Sequence, residues 1–321
     1  MLKIGSPPPA NKALRLSLLA NLVLLLLLLL VLLLSGRGAK GPEPALTGVD
    51  TAALRDNAYA YSVPLEYLQL ALPDYLVYLH RGEYVFEPLD EKLARHGYDW
   101  ANLTYEGDRA VYKDKNWPRA ALGVDVSYFQ GEVDWPAVAA DGIDFAFVRL
   151  GYRGYSKGAL YPDDTAAANL DGAAAAGLKV GAYVFSQAVT EAEAVEEAEL
   201  ALSVLDGREL QLPVAFDMEE IFEESARTDG LTIEEATDLA LAFCRRIEAG
   251  GYRAMIYGNT AWLSARIDRS RLADYPVWLA QYNHRPLYPY EFAMWQYTPA
   301  AAVDGLAGEA DLNVCFDPEA L

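Results

Sequence analysis

The sequence from residue 212 to 219 reads Leu212-Pro213-Val214-Ala215-Phe216-Asp217-Met218-Glu219. An apolar run ends here in two carboxylates that are separated by one residue. Alternate residues of an extended strand face the same side, so Asp217 and Glu219 should project together, with Cα atoms about 6.5 to 7 Å apart. A run this apolar is typical of a strand in a parallel sheet that is covered on both faces. The stretch therefore predicts a buried strand that carries two neighbouring acids at its carboxyl end.

Similar short apolar runs recur along residues 119–321 and alternate with helical segments. Eight strand-like runs within about 200 residues predict an α/β protein with an irregular (β/α) TIM-like barrel, in which the later connections are too short for full helices. The predicted strands are Leu122–Val126, Phe145–Leu150, Val180–Phe185, Leu212–Phe216, Ala254–Tyr257, Val277–Ala280, Phe292–Gln296 and Leu312–Phe316. The predicted helices are Trp135–Ala140, Asp164–Ala176, Glu191–Leu205 and Ile233–Ala249, the last two opening with Thr-x-x-Glu capping boxes.

Four acids stand out because they border the predicted strands. Asp125 ends the first strand and Asp311 opens the last one, while Asp217 and Glu219 follow the fourth. Most acids in a chain are solvated surface charges, and that interpretation fits most of those found here. It does not fit Asp217 and Glu219, since two carboxylates so close at the end of a buried strand repel each other and lose solvation. The pKa of one of the two carboxyl groups must rise, which supplies an acid/base pair near neutral pH. Paired carboxyl groups of this kind are what most enzymes use to cleave glycosidic bonds.

Composition excludes several other functions. The chain has 26 Lys and Arg against 46 Asp and Glu, a net charge of −20, and nearly all of the acidic excess lies after residue 118. A nucleic-acid partner is therefore not expected, because phosphates require a basic surface.

Three scattered His and two Cys residues predict no metal site, no cofactor and no Ser-His-Asp triad. Cys244 lies on the apolar face of its helix and is predicted to be a core residue. We expect a monomer.

The N-terminal region contains a 19-residue apolar segment. Residues 16–34 read LSLLANLVLLLLLLLVLLL, with only two polar side chains. As a helix the segment would be roughly 28 Å long, which matches a bilayer core of about 30 Å. We expect an uncleaved transmembrane anchor; the alternative is a cleaved signal peptide, whose apolar core is shorter. The basic residues Lys3, Lys12 and Arg15 favour an orientation in which residues 1–15 stay in the cytoplasm and the rest of the chain is exported. The first case predicts a single-pass protein of the cell membrane, and the second a secreted one.

Residues 35–118 connect the apolar segment to the predicted barrel. Residues 35–48 are rich in Gly and Pro and are interpreted as a linker. Residues 49–118 are interpreted as a small α+β accessory region or stalk, because residues 83–87 alternate like a short strand. Nothing in this region indicates a ligand.

Aromatic residues accumulate in and just after the predicted strands, where flat rings could stack on a sugar. Core packing is the alternative for any one of them. The candidate substrate-binding residues are Tyr183, Phe185, Tyr257, Trp278, Tyr282 and Trp295, together with Gln281.

Several motifs resemble family 25 of the glycoside hydrolases, the N-acetylmuramidase lysozymes. They cover about residues 121–317, in the family's order, and one departure is Val184, where the family often has His. The matching motifs are Gly123-Val124-Asp125-Val126-Ser127-Tyr128-Phe129-Gln130-Gly131, Asp134-Trp135, Phe147-Val148-Arg149, Asn169, the run from Gly177 to Phe185, Asp217-Met218-Glu219, Trp278-Leu279-Ala280-Gln281-Tyr282, Trp295-Gln296-Tyr297 and Asp311-Leu312-Asn313.

The resemblance implies an irregular (β/α) barrel that cleaves the β-1,4 bond between N-acetylmuramic acid and N-acetylglucosamine in peptidoglycan. It implies functional roles for four acids: Glu219 as general acid, Asp217 as the stabiliser of charge at the anomeric centre, and Asp125 and Asp311 as residues that orient the substrate. Two alternatives remain open. One is a wall module that binds glycan without cleaving it, and the other is a hydrolase of another amino-sugar polymer such as chitin.

Overall fold

The computed structural model describes Ala58 and residues 62–115, 120–222 and 226–316. The chain divides into two compact units, Met1–Leu89 and Asp90–Leu321. The predicted accessory region 49–118 is thus distributed over both units. Within the described ranges, no helix is long and apolar enough to cross a membrane. The predicted anchor 16–34 and the predicted linker 35–48 lie outside those ranges.

The first unit contains a short helix and a hairpin. Helix α1 (Leu65–Ala71) precedes strands β1 (Tyr75–His80) and β2 (Glu83–Pro88), which pair antiparallel. The two-residue loop between them has positive φ at both positions, the conformation that matches the twist of paired strands. A small core joins these elements and contains Ala58, Leu68, Leu72, Val77 and Phe86.

The second unit begins with a hairpin that precedes the predicted barrel. Strands β3 (Leu103–Glu106) and β4 (Arg109–Tyr112) pair antiparallel. Tyr112 is fully buried, and its ring meets Phe316 edge-on at 5.2 Å. This contact joins the hairpin to the residue that follows the last strand of the barrel.

A closed ring of eight strands forms the centre of this unit, so the predicted barrel is confirmed. Each predicted strand is present, although several bounds differ by a few residues. The ring runs β5 (Ala121–Val126), β6 (Phe145–Arg153), β8 (Lys179–Ser186), β9 (Val214–Met218), β10 (Ala254–Asn259), β11 (Val277–Ala280), β12 (Met294–Ala301) and β13 (Ala310–Cys315), which pairs with β5 again. Strand β7 (Leu160–Pro162), which the sequence did not predict, pairs antiparallel with β6 outside the ring.

The last strand departs from the predicted parallel sheet. Strand β13 runs antiparallel to both of its neighbours, β12 and β5, whereas the other neighbouring pairs in the ring are parallel. The physical reason is the short connection from Ala301 to Ala310, because a parallel return needs a crossover of a dozen or more residues. The start of β13 therefore lies at the edge where the parallel strands end, and Asp311 pairs in register with Asp125.

Helices follow several of the strands and cover the barrel. Three of them, Trp135–Ala140, Glu191–Leu205 and Ile233–Ala249, have the predicted bounds, and Cys244 is fully buried in the last, as predicted. Thr232 forms a complete capping box with Glu235, whereas the carboxylate of Glu193 accepts from Val189 and only half of the box at Thr190 is made. The helices are α2 (Trp135–Ala140), α3 (Ala166–Ala175), α4 (Glu191–Leu205), α5 (Ile233–Ala249) and α6 (Thr260–Ala265).

Large aromatic side chains fill the barrel. Phe145 and Phe147 lie in the central cluster and meet edge-on at 6.1 Å. Both rings come from β6, and a glycine on each of the two strands beside it makes room for them. A Cβ at Gly123 on β5 would lie 2.2 Å from the Phe145 ring, and a Cβ at Gly181 on β8 would lie 2.6 Å from the Phe147 ring. The floor of the barrel is thus closed by side chains, which leaves ligand access at the opposite edge.

Candidate active site

A cavity of about 230 Å³ opens at the edge of the barrel where the parallel strands end. All four predicted acids line it: Asp125 near the end of β5, Asp217 near the end of β9, Glu219 one residue beyond β9, and Asp311 near the start of β13. Five of the predicted substrate-binding side chains also line it, namely Tyr183, Phe185, Tyr257, Trp278 and Tyr282. Residues far apart in sequence therefore meet at one site, as expected for a barrel.

Two amide side chains hold Asp125. Gln296 Nε2 and Asn313 Nδ2 both donate to its Oδ2, at 2.9 and 2.8 Å. Asn313 in turn accepts a hydrogen bond of 2.8 Å from Trp278 Nε1. One oxygen of Asp125 is thus fully engaged by the protein, which fixes the plane of the carboxyl group.

Two tyrosines fix the orientation of the Gln296 amide. The hydroxyls of Tyr257 and Tyr282 both donate to Gln296 Oε1, each at 2.9 Å. Because Oε1 accepts both hydroxyls, the amide nitrogen must face Asp125. Tyr257 is buried and Tyr282 is half exposed, so this network extends from the barrel interior to the cavity rim.

The loop after β9 is fastened by a buried glutamine. Gln187 is fully buried, and its Nε2 donates to the backbone oxygen of Glu219 at 3.2 Å. Thr228 Oγ1 donates to Gln187 Oε1 at 3.3 Å, and Arg227 Nη1 donates to its backbone oxygen at 2.9 Å. The position of Glu219 therefore depends on contacts from β8 and from the loop before α5.

Burial and mutual repulsion change the acidity of the central pair. Burial raises the pKa of Asp217 well above its ordinary value, and the charge of Glu219 raises it further. Burial also raises the pKa of Glu219, with a further contribution from the charge of Asp125. Asp217 is only 4% exposed and its Oδ1 has no hydrogen-bond partner among the described residues, whereas Glu219 is partly exposed. The pair is therefore expected to hold at least one proton near neutral pH.

The two outer acids respond to the same environment. Burial raises the pKa of Asp125, and the hydrogen bonds from Asn313 and Gln296 partly oppose this by stabilising the carboxylate. Burial raises the pKa of Asp311 to about 8, aided by the charges of Asp125 and Glu219. Within the described ranges, no group of three His, Cys, Asp or Glu side chains is arranged to hold a metal ion. The four carboxyl groups of the site can exchange protons and stabilise positive charge.

Comparison with known sequences identifies the family. The sequence model of the family described as Glycosyl hydrolases family 25 matches residues 124–306, more than half of the chain. The chain belongs to glycoside hydrolase family 25. The span matched to family 25 includes Asp125, Asp217 and Glu219 and ends just before Asp311.

Several known proteins resemble this family 25 chain. The autolytic lysozyme of Clostridium acetobutylicum is 28% identical over 192 residues, which are 60% of this chain and 54% of that protein. Lysozyme M1 of Streptomyces globisporus is 28% identical over 202 residues, which are 60% of this chain and 66% of that protein. The chain thus spans less than two thirds of either relative. The crystal structure of the Clostridium perfringens spore cortex lytic enzyme SleM has the same fold, with a TM-score of 0.54, 24% identity and coverage of 63% of this chain and 68% of that one.

Two predicted substrate-binding residues lie outside the cavity of this family 25 barrel. Trp295 is fully buried, and its Nε1 donates to the backbone oxygen of Gln281 at 2.7 Å. The side chain of Gln281 bonds to Thr260 and to the backbone of Leu287. Trp295 lies outside the cavity because side chains alternate along a strand. Gln296 faces the cavity, so Trp295, its neighbour on β12, faces the other way.

Several residues at the cavity were not predicted as site residues, although they lie within motifs of the family 25 resemblance or next to them. Arg149 and Gln296, which line the cavity, and Asn313, which donates to Asp125, are polar side chains inside apolar strand runs, and that exception to the pattern is the signal that could have found them. Phe129 and Gln130 also line the cavity, from the loop after β5. No periodicity marks those two, because they follow the strand.

The raised pKa of Asp311 predicts a pH-dependent gain in stability for Asp311→Asn. A carboxyl group with a pKa of about 8 in the folded state and about 3.8 when solvated favours folding less as pH rises, because the unfolded chain ionises first. Asparagine does not ionise, so the variant does not lose this stability as pH rises. The difference in Tm in favour of the variant should grow between about pH 4 and pH 8 and then level off.

The control is Asp274→Asn, at an exposed position, whose Tm should stay close to that of the wild type at every pH. A difference between Asp311→Asn and the wild type that does not vary from pH 4 to pH 9 would contradict the assigned environment of Asp311.

Proposed function

We propose that this chain is a muramidase that hydrolyses the β-1,4 bonds between N-acetylmuramic acid and N-acetylglucosamine in peptidoglycan. The observation that carries the proposal is the convergence of four carboxyl groups and several aromatic rings on one cavity of a family 25 barrel. The lysozymes among its relatives support the same substrate class. Such a site is suited to glycosidic chemistry, in which one carboxyl group donates a proton and another stabilises the positive sugar.

We assign the proton donor to Glu219. It is the more exposed member of the pair and lies beyond the end of β9, where a glycosidic oxygen can reach it. Its raised pKa keeps it protonated at a pH where an ordinary glutamate is ionised. In the first step, the Glu219 proton moves to the leaving oxygen as the bond to the anomeric carbon breaks.

Asp217 stabilises the positive charge that develops at the anomeric carbon. It lies deeper than Glu219, and its Oδ1 has no hydrogen-bond partner among the described residues. It orients either the acetamido group of the substrate, whose carbonyl oxygen adds to the anomeric carbon and is then displaced by water, or a positioned water that adds directly. In both routes the oxygen of the water becomes the new anomeric hydroxyl, and its proton passes to a carboxylate of the pair. Asp125, held rigidly by its two amides, and Asp311 orient the sugar and adjust the acidity of the pair.

The direct test is digestion of purified peptidoglycan by the full-length chain, with mass analysis of the new reducing ends. Reducing-end N-acetylmuramic acid is the expected product. Reducing-end N-acetylglucosamine would assign a different bond, and stronger cleavage of chitin would assign a different polymer. Binding to peptidoglycan without any new reducing ends would identify a glycan-binding module and overturn the proposal.

We also propose that residues 16–34 anchor the chain in the cell membrane and that the barrel lies outside, facing the wall. Support comes from the length and apolarity of this segment and from the basic residues before it. An anchored muramidase would act on wall within reach of the linker.

The anchor proposal predicts that the mature protein keeps its N-terminus and sediments with membranes after a high-salt wash. Salt removes proteins held by surface charge but does not extract a spanning helix. The measurement is immunoblotting of washed membranes together with N-terminal sequencing. A soluble mature chain that begins near residue 36 would show that the segment is a cleaved signal peptide.

A further inference from the structure

One exposed aromatic residue at the cavity has no role in the chemistry above. Phe129 follows β5 and lines the cavity, yet 71% of its surface is exposed. Its neighbour Tyr128 is 45% exposed, and the two rings lie 4.1 Å apart. Single exposed aromatic side chains are common on proteins, so exposure alone indicates nothing. What sets this pair apart is how rigidly it is held.

The backbone beneath the two rings is locked by its own side chains. Residues Tyr128–Gln130 form one turn of 3-10 helix that begins with a capping box. Ser127 Oγ accepts from the Phe129 amide at 3.3 Å, and Gln130 Oε1 accepts from the Ser127 amide at 2.8 Å. A ring presented on such a turn loses little further freedom when it binds a ligand.

A buried ion pair supports the rings from β6. Arg149 Nε donates to Asp163 Oδ2 at 2.9 Å, and the same oxygen accepts from the Tyr128 amide at 3.0 Å. Asp163 is only 4% exposed. The guanidinium carbon lies 4.8 Å from the centre of the Tyr128 ring and 5.5 Å from that of Phe129. The cation thus packs against both rings and holds them in place, while most of the Phe129 surface stays open.

We propose that Phe129, supported by Tyr128 and Arg149, is a stacking platform for one sugar ring of the glycan strand, a binding subsite beside the acid-lined cavity. This inference rests on the proposed function. The occupant is argued from continuity with the cavity: Phe129 lines the same space as Asp125, so a strand whose scissile bond lies at Glu219 can extend across it. A pyranose offers a flat face of C–H groups that suits an aromatic ring.

The test compares Phe129→Ala, Phe129→Trp and Phe222→Ala in the full-length chain, with glycan strands prepared from peptidoglycan. Phe222 is the matched control because it is 76% exposed but does not line the cavity. We expect Phe129→Ala to raise KM by about tenfold with kcat nearly unchanged, the size expected for one lost aromatic stack. Phe129→Trp should retain the wild-type KM, since it keeps a flat ring, and so should Phe222→Ala.

A second readout keeps this inference separate from the proposed function. The Kd for the same strands is measured with and without Phe129→Ala in the Glu219→Gln background, where binding does not depend on turnover. A tenfold weaker Kd supports the platform even if the wild type releases no reducing ends. The platform would be overturned if Phe129→Ala left KM within twofold of the wild type and Kd within twofold of Glu219→Gln. An equal rise in KM for Phe222→Ala would also overturn it, even if the chain proves to be a muramidase.

Discussion

Replacing Glu219 by Gln is expected to reduce turnover on peptidoglycan by about 10² to 10⁴-fold while the fold and glycan binding are retained. The amide has the size of the carboxyl group and can still form hydrogen bonds, but it cannot deliver a proton to the leaving oxygen. Gln187 should still hold the loop, because it contacts the backbone of Glu219 and not its side chain. The measurement is kcat from released reducing ends, with Kd for glycan strands measured separately.

The control for this variant is Glu220→Gln, which removes the adjacent acid but alters no side chain of the cavity lining. Its turnover should stay within a few-fold of the wild type. The wild type should also show a bell-shaped pH profile, because the coupled pair works when it holds one proton: the alkaline limb reflects loss of that proton from the pair, and the acid limb reflects protonation of its second carboxyl group. A folded Glu219→Gln protein with near-normal activity on intact walls would remove Glu219 from the mechanism.

Replacing Arg153 by Met is expected to lower the free energy of unfolding by about 3 to 5 kcal/mol, the usual cost of removing one partner of a buried ion pair. Arg153 is 3% exposed and Glu197 is fully buried. Arg153 Nε donates to Glu197 Oε1 at 2.7 Å, and its other nitrogens bond to the backbone oxygens of Gly158 and Glu193. The variant would remove the charge partner of the buried Glu197 carboxylate and the donor to two carbonyl groups between β6 and α4. Urea unfolding at neutral pH measures the effect.

Arg271→Met is the matched control for the stability experiment. Arg271 pairs with Asp238 at 2.6 Å, but both side chains are more than one third exposed, so its loss should cost less than about 1 kcal/mol. Combining Arg153→Met with Glu197→Met should recover part of the lost stability, because no buried charge is then left unpaired. If Arg153→Met and Arg271→Met lowered the free energy of unfolding equally, burial would not determine how much the Arg153–Glu197 pair contributes to stability.

Local patterns in the sequence predicted most of the barrel. The strand Val277–Ala280 and the helices Trp135–Ala140, Glu191–Leu205 and Ile233–Ala249 have the same bounds in the structure as in the prediction. These elements are specified by hydrophobic periodicity and by capping residues, which act over a few neighbours in the chain. Helix α6 and strand β7 were not predicted, since with six and three residues both are too short to show a hydrophobic period.

The candidate site was predicted in part. The pair Asp217 and Glu219 could be placed from strand alternation alone, because both residues belong to one local segment. Gln296 and Asn313 could not, since their importance comes from meeting Asp125 across a distance of more than 170 positions in the chain. Trp295 could not be assigned to the core or to the cavity, because the sequence does not say which side of β12 faces the cavity.

By itself, the sequence determined the order of strands and helices, the presence of acids at strand ends, and the motifs that resemble family 25. Only the tertiary structure decided that β13 turns back antiparallel, which brings Asp311 opposite Asp125 at the cavity edge. In an all-parallel barrel, a residue at the start of the last strand would lie at the opposite end from Asp217. Strand direction depends on a pairing between the two ends of the barrel, and that pairing is a long-range interaction that no local pattern encodes.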